Sequence, residues 1–201
     1  MKGRLRRARQ LAGVCVLWLI CGMTGPTVAD EHKSLTAIVL VAKITSGDPF
    51  FSDSVVLVLN NLGPAPVGII VNRPTAIPVS QLFPDLKRLA HLHDKVYFGG
   101  PVDFDDVWFL FRAAAPPEHA VRAFDGICIS ADRDLLLHLL GRDRPMEGLR
   151  IFVGHSGWGP GQLEAEIARG DWTLQHAAAD VIFSGKSEHP WPGTPEPDNG
   201  T

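Results

Sequence analysis

Residues 154–167 read GHSGWGPGQLEAEI. The apolar run Ile151-Phe152-Val153 leads in, and a helix-like run follows. Two readings compete. One takes Gly-His-Ser as the opening of a nucleophile elbow, G-x-S-x-G, where a serine sits on a strained strand-to-helix turn of a hydrolase. The other takes the glycines as architecture. The elbow needs glycine two residues after the serine, and this chain has Trp158 there. A bulky indole at that place blocks the close helix–strand packing that glycine allows. The helix also starts late. Gly159 reads as N-cap, Pro160 as the first helical residue, and Gln162 as the third, where its amide reaches back to the cap. Leu163 and Ile167 share one face, and Arg169-Gly170 closes a helix of about ten residues. Downstream, Asp171, Asp180, His176 and His189 are the available triad partners, and no spacing singles out a pair. A serine hydrolase using Ser156 is the alternative; glycine architecture is the reading preferred.

Outward from this stretch, strands and helices mix. Leu35–Lys43 (LTAIVLVAK), Ser54–Asn60 and Val67–Asn72 are β-branched runs and read as strands. The short Gly-Pro-Ala-Pro link between the second and third predicts an antiparallel hairpin. Val79–Leu92 reads as a helix with a break at Pro84. Lys95–Phe98, Asp106–Arg112, Ile127–Ile129 and Leu149–Gly154 read as further strands. Asp132–Gly141 reads as a helix, with acids in its first turn and glycine at its end. Hairpins among helices predict an α+β fold rather than a doubly wound parallel sheet.

Both ends read differently from the middle. Lys2, Arg4, Arg6, Arg7 and Arg9 form a basic head, Leu11–Met23 is apolar and uncharged, and Thr27-Val28-Ala29 is a small-residue exit. These are the parts of a secretory signal. Residues 1–29 are therefore expected to be a signal peptide, with an uncleaved anchor as the alternative. The expected domain spans 34–185, and residues 186–201, rich in proline, read as a disordered tail. The place of action is then the periplasm or the exterior, or the inner membrane if the leader stays. Removing the leader takes five of 19 basic residues and none of 22 acidic ones, leaving 14 against 22, formally −8. An acidic domain without a basic stripe is poorly suited to a phosphate backbone. Cys15 and Cys21 fall in the leader, so Cys128 remains alone and reads as a small buried hydrophobe.

Several other side chains are of types that can carry chemistry. Glu164 and Glu166 point about 200° apart on a helix and read as a solvated face rather than a carboxylate pair. His91 and His93 lack a third ligand and read as surface residues. Asp103-Phe-Asp-Asp106 lacks the glycine and the terminal glutamate of a calcium loop and reads as a turn. Arg73 either pins a turn or contacts an anion. No metal or cofactor is expected.

Five segments together resemble the YqgE/AlgH family. They are Asp48–Leu57, Gly68–Pro74 (GIIVNRP), Val96–Val102 (VYFGGPV), Ser130–Leu135, and Gly154–Ile167 with Trp172. They span about Leu35 to Phe183, nearly the whole expected domain. The resemblance implies an α+β fold with a branched, mostly antiparallel sheet forming a pseudo-barrel with packed helices. It implies no catalytic residue, cofactor or substrate. The family's label is that of a transcriptional regulator, named from an alginate phenotype. In the family the glycine motif commonly reads G-Y-A-G-W, so His155 and Ser156 depart from it. The expectation is an exported binding or interaction module without catalytic activity; a transcriptional regulator is the further alternative. Its candidate surface is Asn72, Arg73, Gly99, Gly100, Trp158 and Gln162, placed on loops and strand ends where function concentrates. The expected partner is a protein or a small anionic ligand. Nucleic acid is not expected, and a membrane only through an uncleaved leader.

Overall fold

The computed structural model describes residues 37–43, 50–60, 62–124, 126–176 and 179–183. The expected leader and the proline-rich tail lie outside the described residues. β1 (Ala37–Ala42), β2 (Val55–Leu59) and β3 (Val67–Ile70) form an antiparallel meander. β2 reads VVLVL and buries every residue. A run without polar alternation offers no face to water, and both faces are covered accordingly. Val55, Leu57 and Leu59 join one apolar cluster, while Val56 and Val58 join another on the opposite face.

Seven further strands complete the sheet: β4 (Pro74–Pro78), β5 (Lys95–Phe98), β6 (Val102–Arg112), β7 (Val121–Phe124), β8 (Ile127–Ser130), β9 (Leu149–Gly157) and β10 (Trp172–Gln175). The strand order is β10-β1-β2-β3-β9-β6-β8-β7. β9 is the branch point. Along one edge it pairs antiparallel with β6. Its other edge is shared, parallel to β5 at Phe152 and Val153 and antiparallel to β3 at Ser156 and Gly157. β5 in turn carries β4.

The sheet curls because its two arms share one core. Val39, Leu57 and Ile69 from one arm meet Leu110, Ile127 and Phe152 from the other, and Ile182 of α4 (Ala179–Phe183) joins them. The second side is covered in two places. α2 (Arg133–Leu140) packs Leu136, Leu139 and Leu140 against Phe109, Phe111 and Ile151. α3 (Gln162–Arg169) packs Leu163 against Leu40, Val56 and Ile70, beside Trp158 and Trp172. The result is the expected α+β fold, a curled, mostly antiparallel half-barrel with a few helices. Among the described residues no helix is long and apolar enough to cross a membrane.

Several expected boundaries change. The helix read over Val79–Leu92 is a short α1 (Val79–Leu82) and a 3-10 turn at Lys87–Leu89. Pro84 lacks a donor and disfavours helical geometry at Phe83, so the chain cannot continue as one helix. β4, β7 and β10 were not anticipated. β6 starts at Val102 rather than Asp106, and β9 runs past Gly154 to Gly157. α2 stands where expected, with Asp132 Oδ1 accepting from Leu135 N at 2.7 Å as its N-cap. α3 starts at Gln162, because Gly161 takes a left-handed cap conformation at φ 73°.

Candidate functional site

The corner at residues 50–54 leaves several main-chain groups outside the ladder, and two side chains following β3 meet them. Asn72 Oδ1 accepts from Val55 N at 2.9 Å, and Asn72 Nδ2 donates to Asp53 O at 2.8 Å. Arg73 Nη1 donates to Phe50 O at 2.7 Å, and Nη2 donates to Ser52 O at 2.8 Å and Ser54 Oγ at 3.0 Å. Of the two roles open to Arg73, the pinned turn is the one seen. The guanidinium also lies over the Phe98 ring, 5.7 Å from its centroid, and Phe98 stands 6.0 Å from Phe104. Asn72→Ala orphans the Val55 N–H, which belongs to a fully buried residue. The expected loss is about 1–2 kcal/mol, read as a lower urea midpoint at unchanged m-value.

Gly99 and Gly100 are buried against β9. A Cβ on Gly99 would overlap the Gly154 carbonyl oxygen, and one on Gly100 would overlap the His155 carbonyl and Ser156 Oγ. Their role in the structure is close backbone approach. Ser156 sits inside β9, paired with Gly68, and is 1% exposed. Its hydroxyl donates to Gly99 O at 3.5 Å, and no histidine among the described residues hydrogen-bonds to it. A strand interior is not an elbow, so the hydrolase alternative loses the strained turn it needs.

Beyond β9, three side chains converge on one carboxylate. Trp158 Nε1 and Trp172 Nε1 both donate to Glu166 Oε2 at 2.9 Å. Gln162 Nε2 donates to Glu166 Oε1 at 2.9 Å, and Gln162 Oε1 accepts from Gly159 N at 3.0 Å. The reach of Gln162 back to Gly159 is thus present although the helix begins later than expected. Burial raises the Glu166 pKa, but hydrogen bonds from Trp172, Gln162 and Trp158, with the charge of Arg169, outweigh it and hold it below the ordinary glutamate value. Phe51 packs on both indoles, 6.5 Å from Trp158 and 5.6 Å from Trp172 between centroids. Glu166 was read from the sequence as one of two solvated acids. Glu164 is exposed, whereas Glu166 is the hub. The signal was available in the spacing: Trp158, Gln162 and Glu166 recur every four residues, one side of a helix and its approach.

The candidate surface is therefore divided. Asn72 and Arg73 hold the corner at 50–54, Trp158 and Gln162 belong to the Glu166 cluster, and Phe51 of the corner touches Trp158. Gly99 and Gly100 lie beneath, as backbone. Trp158 is itself 5% exposed, so of the second pair only Gln162 faces water.

A further grouping was not anticipated. Between the pairs Val102↔His155 and Val107↔Val153, β6 advances five residues while β9 advances two. The surplus pushes Asp103–Asp106 out of the ladder as a bulge, where a turn was expected, with Asp103 at φ 45°. There His155 Nδ1 stands 4.0 Å from Asp106 Oδ2, and ligand atoms of Asp103, Asp106 and His155 all lie within 4.8 Å of one another. His91 and His93 are exposed, as expected. Cys128 is buried, and burial pushes its thiol pKa up against the opposing charge of Arg122.

A family model described as AlgH-like matches residues 39–194. A UPF0301 protein of Anaeromyxobacter is 34% identical over 164 residues, covering 76% of this chain and 82% of the relative. A UPF0301 protein of Streptomyces avermitilis is 34% identical over 180 residues, covering 84% and 88%. The solution structure of AlgH from Pseudomonas aeruginosa superposes with a TM-score of 0.61 at 26% identity, covering 80% of this chain and 83% of that one. A crystal structure of a Corynebacterium diphtheriae protein gives 0.60 at 25% identity, covering 75% and 80%.

Proposed function

The chain belongs to the AlgH-like family, whose function is uncertain, and on that premise we propose that it is a recognition module for a protein partner rather than an enzyme. One observation carries the reading. Phe50 and Phe104 are 50% and 59% exposed, and they are joined through Arg73 and Phe98. Exposed aromatics around an arginine are the composition of interface hot spots. The acids of the 103–106 bulge border this patch, which favours a partner with a basic rim. Ser156, buried in a strand, supports the non-enzymatic reading. The basic head, apolar core and small-residue exit of residues 1–29 support action outside the cytoplasm. Export and the acidic charge of the mature chain both argue against the transcriptional-regulator label.

The test is capture from the envelope fraction with three tagged chains: unaltered, Phe104→Ser, and Leu174→Ser as an exposed control on β10. A partner retained by the unaltered and Leu174→Ser chains and lost with Phe104→Ser is the expected result. The same proteins on all three, or none, would end the reading. Labelling by a serine-reactive phosphonate that disappears in Ser156→Ala would restore the hydrolase instead.

A further inference from the structure

We propose that Asp103, Asp106 and His155 form a binding site for one divalent transition-metal ion, with zinc the best match. The proposal does not rest on the recognition reading. The first observation is the donor set: one imidazole nitrogen and two carboxylates with their ligand atoms within 4.8 Å of one another. Zinc takes both donor types at about 2.0–2.2 Å and commonly uses three protein ligands with a water in an open position. The 4.0 Å between His155 Nδ1 and Asp106 Oδ2 is too long for a hydrogen bond. Two ligands of a tetrahedral zinc stand about 3.3 Å apart, so a movement of the Asp106 carboxylate by under about 1 Å brings both atoms into coordinating distance of one ion. Calcium and magnesium are poorer matches, because they call for oxygen ligands throughout.

The second observation is independent of the acids. Among the described residues, two buried side-chain polar atoms lack a hydrogen-bond partner: His155 Nδ1 and Trp108 Nε1. They belong to rings in edge contact, with centroids 6.0 Å apart. Buried polar atoms are normally satisfied, so an unpartnered imidazole nitrogen facing carboxylates is a donor that a cation would use. An ion satisfies the imidazole nitrogen. The indole N–H cannot ligate, but it can donate to a water bound to that ion. The local backbone suits the role. His155 is held on β9 with its side chain 16% exposed, whereas Asp106 is 54% exposed on the bulge and free to close. One ligand is fixed and two are adjustable.

The experiment uses untagged full-length protein stripped by a chelator and titrated with zinc chloride alone in competition with a chromogenic chelator. One equivalent is expected to bind. Asp106→Asn and His155→Gln should each weaken binding at least about tenfold, the loss that even outer-shell changes cause at metal sites. His91→Ala with His93→Ala should leave it unchanged. Asp106 is exposed, so that variant keeps the test decisive if His155→Gln fails to fold. Absence of saturable binding, binding that survives either site substitution in a folded protein, or binding lost in the His91/His93 variant overturns the proposal.

Discussion

Gly154→Ala is expected to destabilise the domain by about 4 kcal/mol, the range reached when backbone strain and an unrelieved clash coincide. Gly154 has φ 70°, which costs an alanine of order 1–2 kcal/mol. The larger share is steric. The added Cβ would overlap the Gly100 carbonyl oxygen and lie 3.0 Å from the Val102 carbonyl oxygen. Both obstacles are main chain, so no rotamer change relieves them. At about 2–4 °C per kcal/mol for a domain of this size, the melting temperature should fall by roughly 10 °C. Gly157→Ala is the control, three residues further on. Nothing lies within 4 Å of its Cβ position, and its effect should be near zero. Thermal melts of the two variants decide the matter: a Gly154→Ala protein that melts with the unaltered one removes the close approach of the Gly99-Gly100 loop to β9 as a structural determinant.

The second large effect is at Glu166. Glu166→Ala leaves the N–H groups of Trp158 and Trp172 without an acceptor, and both residues are nearly buried, at 5% and 6% exposure. A stranded buried donor costs about 1–3 kcal/mol, and water reaching the half-exposed carboxylate site offsets part of that, so roughly 2–4 kcal/mol is expected for the pair. Glu166→Gln should cost less, because its amide oxygen can still serve both indoles while only the bond from Gln162 is lost. The pH dependence has a definite sign. The folded-state pKa lies below the ordinary glutamate value, so the contribution is fully present above that ordinary value and is lost as pH falls through the lower folded one. Urea unfolding across the acid range should therefore show a smaller acid-side loss of stability in Glu166→Gln than in the unaltered chain. Equal acid limbs would mean that the indole and amide contacts do not favour the ionised form.

What the sequence disclosed depended on whether a signal was local. β1, β2, β3 and β8 were legible because they are buried, and burial writes itself as an unbroken apolar run. The α2 cap was legible because Asp132 and the turn it caps are neighbours in the chain. β4, β7 and β10 were not legible. Each is short, β4 is mostly exposed and bounded by prolines, and β10 exposes Thr173 and Leu174. Such segments become strands because a partner strand stands beside them, and no local pattern records that. The site divided the same way. Asn72, Arg73, Trp158 and Gln162 were distinctive in type and place. Glu166 looks like a solvated acid beside Glu164, two residues away on another face, and its role comes from Gln162, four residues away, and from two indoles. The 103–106 acids do not make a self-contained calcium loop, and the residue that changes their meaning, His155, stands on another strand and reaches them only through the β6–β9 register.

That β9 joins both arms of the sheet has a consequence for how the chain is made. It is the ninth in chain order of the ten strands among the described residues. When synthesis has reached residue 148, eight strands exist and the one that β3, β5 and β6 all pair with does not. Each of those three then presents a row of unpaired main-chain groups, the surface on which strands of separate molecules associate. Pairings so distant in sequence also form slowly. The newly made chain is thus most open to aggregation just before residues 149–157 arrive, and a deletion that removes them leaves three separate pieces of sheet, β10-β1-β2-β3, β4-β5 and β6-β8-β7, with no strand to join them.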